Sequence, residues 1–421
     1  MYTQYNRFTE SEELYSRCKK INPFSYRAYY GLGCLFAKQR KFDEAIPEFN
    51  KALKIDPNRE EIIKELNWVI REKKRYELVY SVSCGQEVSL SKEEFRKIIK
   101  PRFCALGIVR RCSFRCKMCH IWENQDNQEL NIQQWKDFIS DFKKVADDHC
   151  QINFAGGEPF LKEGLTDLIR FANDQGFMTA VCTNAYLIDE ELAKKIGDSG
   201  LRTIALSLDS LNPEKHDFIR GIKGSYGKVI NAIELLHEYN PRTEINLLTV
   251  ILQANLGDLI PLAKWAQLKH KINMINFLGL IQPRGNSQEK VWYNKPENAI
   301  LWPQDKDALN KVIDQLIGMK CNGYPKIGNP VSQLLNYKKY YANPEEYIRQ
   351  HIKCNMGYLF LSINEKGFAT LCEERDALGN ITESNIRDIW FSEAADKVRE
   401  QIKTCDKNCH QIINCCYEEE T

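Results

Sequence analysis

The sequence predicts an α/β protein: a partial (β/α)6 TIM-like barrel, with an α-helical segment before it and a small α+β domain after it. Between residues 103 and 285, six short apolar runs alternate with amphipathic helical stretches. Strands and helices that alternate at this length are typical of repeated βα units and a parallel sheet. Six units fall short of the eight that close such a barrel, so the predicted barrel is open.

Composition limits the class of protein and its partners. The 421 residues carry 59 Lys and Arg against 57 Asp and Glu, a net charge of +2, so no nucleic-acid partner is expected. No apolar run is long enough to cross a membrane, and the N-terminus lacks the apolar core of a secretory signal, so we expect a cytoplasmic protein. The sixteen cysteines then indicate metal binding or redox chemistry more than disulfides.

Residues 1–80 are predicted to be helical throughout. The segment Tyr15–Pro23 recurs as Phe49–Pro57, 34 residues later, which is the period of the tetratricopeptide repeat (TPR). Gly33 and Ala45 fall where the two helices of such a repeat approach closely. The segment resembles TPR repeats, with one complete unit, a preceding half-unit and a following helix; an ordinary helical hairpin is the alternative.

The six apolar runs are predicted strands, and amphipathic stretches between them are predicted helices. In parallel α/β sheets the ligand lies at the carboxyl ends of the strands, so functional residues are expected in the loops that follow each strand. The predicted strands are Phe103–Ile108, Gln151–Phe154, Met178–Cys182, Thr203–Ser207, Ile245–Ile251 and Met274–Leu280, and the helices are Ile132–Val145, Leu165–Gln175, Asp189–Ser199 and Tyr226–Glu238.

Three cysteines lie in the loop after the first predicted strand. Cys112, Cys116 and Cys119 have the spacing C-x3-C-x2-C. Three thiolates so close together can hold three irons of a 4Fe–4S cluster and leave the fourth iron open for chemistry. A zinc site is the alternative, but structural zinc sites usually take four ligands in two close pairs.

A Gly-Gly-Glu-Pro string follows the second predicted strand. Gly156 and Gly157 have no Cβ, so the backbone there can approach a ligand closely. Glu158 offers a carboxylate to an ammonium group. A tight turn with an exposed acid is the alternative.

The cysteine triad followed by this string resembles the radical S-adenosylmethionine (SAM) superfamily. The resemblance implies a 4Fe–4S cluster whose open iron chelates SAM, and contacts from Gly156, Gly157 and Glu158 to the SAM ammonium. Cleavage of SAM at the reduced cluster would give a 5′-deoxyadenosyl radical that abstracts a substrate hydrogen. The residue before the third cysteine is usually aromatic in this family; here it is Met118, which is polarisable and can still cover an adenine face.

Polar residues at later strand ends extend the resemblance. Ser207 and Asp209 end the fourth predicted strand and resemble the family's ribose-binding polar pair. Arg220 lies in a stretch similar to one whose arginine pairs with the SAM carboxylate, by a bidentate, charge-assisted contact. A helix cap is the alternative role for each polar residue at a strand end. We expect the radical SAM core at residues 100–320.

Residues 321–421 are expected to form a separate domain with a second group of cysteines. Cys354 is followed by Gly367 and Cys372, which resembles the opening of the SPASM domain or of its shorter form, the twitch domain. The apolar run Tyr358–Ile363 before this glycine predicts a hairpin that brings the two cysteines together.

The resemblance to a SPASM or twitch domain implies a second, auxiliary 4Fe–4S cluster. Two of the last four cysteines would complete its ligands, and Cys409 and Cys415 are the chosen pair. Cys405 and Cys416 remain open as substitutes for either. A structural zinc site is the alternative, because four thiolates also suit zinc.

These features predict a radical SAM enzyme, although they identify no general base or hydrogen donor. The favoured reaction modifies a peptide or protein held by the TPR segment, with electrons from a low-potential donor such as flavodoxin or ferredoxin. Oxidation or rearrangement of a small-molecule biosynthetic intermediate is the alternative. A non-enzymatic TPR adaptor with a zinc-binding tail is an alternative of another class, and it leaves the first triad and Glu158 without a role.

Overall fold

A computed structural model shows two compact units, residues 1–100 and residues 101–421. No helix in the part of the chain that the structure describes is long and apolar enough to cross a membrane. The described residues are 5–83, 91–123, 128–282, 291–350, 354, 356–403, 405 and 413–414.

The first unit is helical, as the sequence predicts. The helices α2 and α3 pack as a pair and form the complete repeat, with α1 before them and α4 after them. A Cβ at Gly33 would lie 2.9 Å from the ring of Phe49, so the glycine is needed where the two helices cross. The helices are α1 (Tyr5–Ile21), α2 (Tyr26–Lys38), α3 (Phe42–Ile55), α4 (Glu60–Ser83) and α5 (Lys92–Ile98).

The second unit is built on a parallel sheet with six strands from the predicted barrel. Neighbouring strands pair in sequence order from β1 to β6, and β6 is at the end of the sheet, so the sheet does not close. The predicted partial (β/α)6 barrel is confirmed. The strands are β1 (Phe103–Val109), β2 (Gln151–Gly156), β3 (Met178–Thr183), β4 (Thr203–Ser207), β5 (Glu244–Ile251) and β6 (Met274–Gly279).

Helices cover one face of this sheet. Ile204 and Leu206 of β4 are fully buried, whereas Ala205 between them is half-buried, as expected for a strand with its alternate residues on opposite faces. The helices of the second unit are α6 (Ile132–Phe142), α7 (Leu165–Asp174), α8 (Glu190–Asp198), α9 (Pro213–Arg220), α10 (Ser225–Tyr239), α11 (Leu259–Leu268), α12 (Lys306–Cys321), α13 (Val331–Ala342), α14 (Pro344–Gln350), α15 (Met356–Leu359), α16 (Ile386–Trp390) and α17 (Glu393–Lys403).

The C-terminal segment extends the same sheet beyond β1. Strand β7 (Phe360–Ile363) pairs parallel to β1, and β8 (Phe368–Thr370) and β9 (Gly379–Asn380) follow it in antiparallel order. The predicted hairpin is therefore present as β7 and β8. The domain boundaries at 80, 100 and 320 stay predictions.

The opposite edge of the sheet, at β6, is paired by side-chain amides. Asn329 accepts from the Phe277 N–H at 2.7 Å and donates to the Phe277 carbonyl at 2.7 Å. Asn414 makes the same two bonds to Gly279, at 2.8 and 2.7 Å. An amide side chain reproduces the donor and acceptor of a neighbouring peptide, so both residues satisfy backbone groups that an edge strand otherwise exposes.

Candidate functional site

The cysteine triad lies in the loop that follows β1, at the carboxyl end of the sheet. All three thiols are half-buried. Burial raises the pKa of Cys112 to about 11, with smaller contributions from the negative charges of Cys116 and Cys119. The three groups therefore lie close enough to interact, on a loop that leaves them accessible.

Three glycines let neighbouring segments approach the backbone of this loop closely. A Cβ at Gly156 would lie 2.1 Å from the Val109 carbonyl oxygen, and one at Gly157 would lie 2.1 Å from that of Arg111. A Cβ at Gly221 would lie 2.3 Å from the carbonyl of Arg115. The sequence predicted that a ligand approaches the glycine pair closely. In the structure, the backbone of residues 109–111, at the start of the cysteine loop, makes that close approach.

The carboxylate of Glu158 is fully buried and lies between two strand ends. It accepts hydrogen bonds from Thr183 Oγ1 at 2.7 Å, from the Asn184 N–H at 2.9 Å and from the Phe160 N–H at 3.2 Å. Burial raises its pKa, and these donors oppose the shift. The alternative, a tight turn with an exposed acid, is excluded because the Glu158 side chain is buried. Its hydrogen bonds connect the segment after β2 to the end of β3.

Asp209 and Arg220 form a buried ion pair beside the triad. Arg220 Nε donates to Asp209 Oδ2 at 2.6 Å, and the side chains are 10% and 0% exposed. The positive charge of Arg220 opposes the upward shift that burial gives the pKa of Cys116. Arg220 therefore lies close enough to the triad to act on one of its cysteines.

Asp209 is itself held by three neighbouring residues. Its Oδ1 accepts from the Val250 N–H at 3.0 Å, and its carbonyl accepts from Asn255 Nδ2 at 2.8 Å. Its N–H donates to His216 Nδ1 at 3.2 Å. The sequence did not single out Asn255 or His216 for this role: Asn255 is 46 residues from Asp209, and His216, although only seven residues away, carries no pattern that points to this bond.

Two further predicted site residues, Ser207 and Met118, lie at the end of β4 and in the cysteine loop. Ser207 is the last residue of β4 and is buried. Met118 is half-buried beside the third cysteine. Their contacts to SAM stay predictions, as do those of Gly156, Gly157, Glu158, Asp209 and Arg220.

The second cysteine group is partly brought together. Burial raises the pKa of Cys354 to about 11, and the negative charges of Cys372 and Cys405 contribute to that shift. Arg375 Nη2 donates to Cys405 Sγ at 3.4 Å. The structure thus adds Cys405, which the sequence left open, to the predicted pair of Cys354 and Cys372.

Two predicted ligands of this second group, Cys409 and Cys415, lie outside the described residues. Cys416 does so as well. Their assignment to the auxiliary cluster stays a prediction.

The donor set of the first triad fits a cluster. Among the residues that the structure describes, no three His, Cys, Asp or Glu side chains converge as the ligands of a single metal ion do. Ligands of a 4Fe–4S cluster bind separate irons, so their sulfurs need not meet at one point. Three accessible thiols on one fixed loop agree with that requirement.

Family models match three parts of the chain. Residues 106–266 match the radical SAM superfamily, residues 26–59 the tetratricopeptide repeat, and residues 354–416 the iron–sulfur cluster-binding SPASM domain. The first of these matches covers most of the predicted barrel. The predicted cofactors, SAM and 4Fe–4S clusters, are confirmed in kind by these matches; the residues that bind them stay predictions.

The curated relatives of this chain have names that indicate different substrates. The chain is 31% identical over 182 residues to an S-adenosylmethionine-dependent nucleotide dehydratase of Selenomonas ruminantium, covering 40% of this chain and 65% of that protein. It is 22% identical over 317 residues to a PqqA peptide cyclase of Granulibacter bethesdensis, covering 71% and 78%. The chain spans 65%, 55% and 39% of the first three curated relatives.

Solved structures with the same fold cover most of the chain. SuiB of Streptococcus suis, bound to S-adenosylmethionine, aligns with a TM-score of 0.57 at 16% identity, covering 89% of this chain and 83% of its own. The anSMEcpe enzyme with bound AdoMet aligns with a TM-score of 0.53 at 20% identity, covering 70% and 82%. At these identities the likeness concerns the fold.

Proposed function

We propose that this protein is a radical SAM enzyme that modifies a peptide or protein. The observation that carries the proposal is the cysteine loop, which lies at the carboxyl ends of the strands beside the buried Asp209–Arg220 pair. Three glycines allow the close backbone contacts of this loop. When bound, the cluster and SAM supply a 5′-deoxyadenosyl radical that abstracts a substrate hydrogen.

The residues of the radical SAM domain divide the binding of SAM between them. Cys112, Cys116 and Cys119 hold the cluster. Arg220 binds the SAM carboxylate through its terminal nitrogens, because its Nε is already engaged by Asp209. Glu158 accepts three hydrogen bonds and is buried, so its negative charge favours an ammonium group bound at the adjacent glycine pair.

The second cluster is proposed to lie in the SPASM domain. Cys354 and Cys372 bind it together with two later cysteines, for which Cys405 now competes with Cys409 and Cys415. The proximity of Cys405 to the first two, and the donor that Arg375 directs at its sulfur, support its inclusion. The general base and hydrogen donor remain unassigned.

A peptide or protein substrate is favoured by the matched repeat. TPR repeats stack helices into curved surfaces that bind extended partners, and this chain carries one at residues 26–59. The likeness to a PqqA peptide cyclase over 317 residues agrees with this substrate class. The reaction needs a low-potential electron donor, such as flavodoxin or ferredoxin. The protein is proposed to act in the cytoplasm.

A small-molecule substrate is the second candidate. It is favoured by the 31% identity to a nucleotide dehydratase over 182 residues, which exceeds the identity to the peptide cyclase. That alignment covers 40% of this chain, however, and a common radical SAM core serves both substrate classes.

Reconstitution with iron and sulfide tests the function. Reduction by dithionite in the presence of SAM should release 5′-deoxyadenosine from the native protein and none from Cys116→Ala. The matched control is Cys321→Ala, which changes an exposed cysteine in the same unit. A colourless protein that binds zinc and releases no 5′-deoxyadenosine would instead support the adaptor.

A further inference from the structure

Two segments at the first cysteine group are strongly basic. Residues 110–120 contain four arginines or lysines and no acid, and residues 218–228 contain three and no acid. The whole chain is nearly balanced, with a net charge of +2. Positive charge is therefore concentrated around the loop that carries the triad.

Some of this charge is neutralised internally and some is not. Arg111 pairs with Glu129 and Arg220 pairs with Asp209, at 2.9 and 2.6 Å. Arg110 is half-buried and lies 4.0 Å from Glu365, and the other four cations of these segments are on the surface. Arg115, Lys117, Lys223 and Lys228 are all exposed.

Contacts join the two segments into one surface. The Lys117 N–H donates to the Ile219 carbonyl at 2.9 Å, and the Lys117 ammonium lies 5.2 Å from the ring centroid of Phe218. Phe218 is 51% exposed, so the surface also carries an apolar contact residue.

The surface continues along the start of α10. The Lys228 ammonium lies 5.5 Å from the ring centroid of Tyr186. That ring packs edge-on against the buried Phe114 of the cysteine loop, with centroids 5.5 Å apart. We call the set Arg115, Lys117, Phe218, Lys223 and Lys228 the cationic surface.

Three acids of the described residues lie close in sequence to this surface, Glu123, Glu214 and Asp217, against its four exposed cations. Asp217 accepts from the N–H groups of Gly224 and Tyr226 and from the hydroxyl of Ser225. Glu123 is bonded to His120 at 2.7 Å. These carboxylates keep their negative charge, so the local field is positive only because the exposed cations of this surface outnumber them.

We propose that the cationic surface is the docking site of an acidic, low-potential redox protein that reduces the first cluster. The inference rests on the proposed function and identifies where its electron donor binds. Electron transfer falls steeply with distance, and a partner on this surface contacts the same short loop that carries Cys112, Cys116 and Cys119. Charge complementarity speeds the encounter of such partners, whose interfaces are small and transient.

The experiment compares charge reversal on this surface with matched reversal elsewhere. The test variant is Lys117→Glu combined with Lys223→Glu. The control is Lys264→Glu combined with Lys311→Glu, two exposed lysines on α11 and α12 of the same unit. The probe is flavodoxin, and three quantities are measured: its affinity from FMN fluorescence, the rate of cluster reduction from the loss of visible absorbance, and 5′-deoxyadenosine release with dithionite.

Charge reversal on the cationic surface should weaken flavodoxin binding and slow its reduction of the cluster about tenfold at low salt. The native rate should fall as salt is added, and the variant's rate should depend less on salt. Dithionite-driven release should be unchanged in both variants. The control should behave as the native protein with either reductant.

Two results would overturn the proposal. One is equal loss in the test and control variants, and the other is a test variant that keeps native flavodoxin kinetics but loses affinity for an acidic peptide, which would make this a substrate surface. Absence of 5′-deoxyadenosine with dithionite in the native protein would overturn the proposed function instead, so the two failures are distinct.

Discussion

An alanine at position 157 would place its Cβ 2.1 Å from the Arg111 carbonyl oxygen and 2.6 Å from the carbonyl carbon. Both atoms are backbone, so relief requires movement of the chain immediately before Cys112. We expect Gly157→Ala to cost about 3 kcal/mol, the upper range for overpacking, and to lower the iron bound after reconstitution. Thermal unfolding and iron content per chain measure both effects.

Gly227→Ala is the matched control for this substitution. A Cβ there meets no atom within 4 Å, and alanine is a better helix former than glycine. Its stability and iron content should equal or exceed those of the native protein. Native iron content in Gly157→Ala would contradict the role assigned to the glycine pair.

His216 gives the second prediction at the residue scale. Burial, with Arg220 nearby, lowers its pKa to about 4 from an ordinary value of 6.5. A histidine whose pKa is lowered in the folded state stabilises the fold above its unfolded pKa, and that contribution is lost as the pH falls from 6.5 towards 4. The maximum loss is about 3 kcal/mol.

The cluster-free protein is suited to this measurement. The unfolding temperature of the native protein should fall more steeply between pH 6.5 and 4 than that of His216→Asn, which has no titrating ring. Parallel curves for the native protein and His216→Asn would show that the ring does not titrate in this range.

At the scale of elements, the edge of β6 depends on Asn414, which lies 135 residues from its partner Gly279. Asn414→Ala removes the two hydrogen bonds to Gly279, which leaves a backbone N–H and a carbonyl without them, and also removes the acceptor of the Tyr337 hydroxyl. We expect a loss of about 1–3 kcal/mol and faster hydrogen exchange of the Gly279 amide.

Asn322→Ala is the control for the edge of β6. Asn322 donates to the Gly318 carbonyl in an exposed position at the end of α12, so its loss should leave the exchange at Gly279 unchanged. Equal protection of Gly279 in the native protein and in Asn414→Ala would refute the pairing.

At the scale of the whole molecule, the two units allow substrate delivery to be separated from SAM chemistry. Phe49 is fully buried at the centre of the first unit, and Phe49→Ala should destabilise that unit by about 3–5 kcal/mol. The variant should still release 5′-deoxyadenosine with dithionite, but should lose turnover of a peptide substrate.

The control in the first unit is Phe24→Ala. Phe24 is 83% exposed, so its truncation should leave both the fold and peptide turnover unchanged. Unaltered turnover in Phe49→Ala, measured above the unfolding temperature of its first unit, would favour the small-molecule alternative.

Local pattern was sufficient for the six strands of the barrel and the TPR pair. Strands such as β5 and β6 bury alternate residues, and the apolar runs that form the strands are visible in the chain itself. The triad was also visible, because its ligands are separated by three and two residues. A residue such as Asn414 could not be identified in this way, since its partner Gly279 lies 135 residues away and is brought near only by folding.

The sequence by itself determined the open parallel barrel, the helical repeat and the chemistry of the first cysteine group, because each depends on short-range spacing. Only the tertiary structure decided that Gly156 and Gly157 contact the chain's own loop, that Arg220 pairs with Asp209 in a buried position, and that β7 extends the barrel sheet. These contacts are made between segments whose separation in sequence carries no signal. Their distances follow from the packing of the whole sheet.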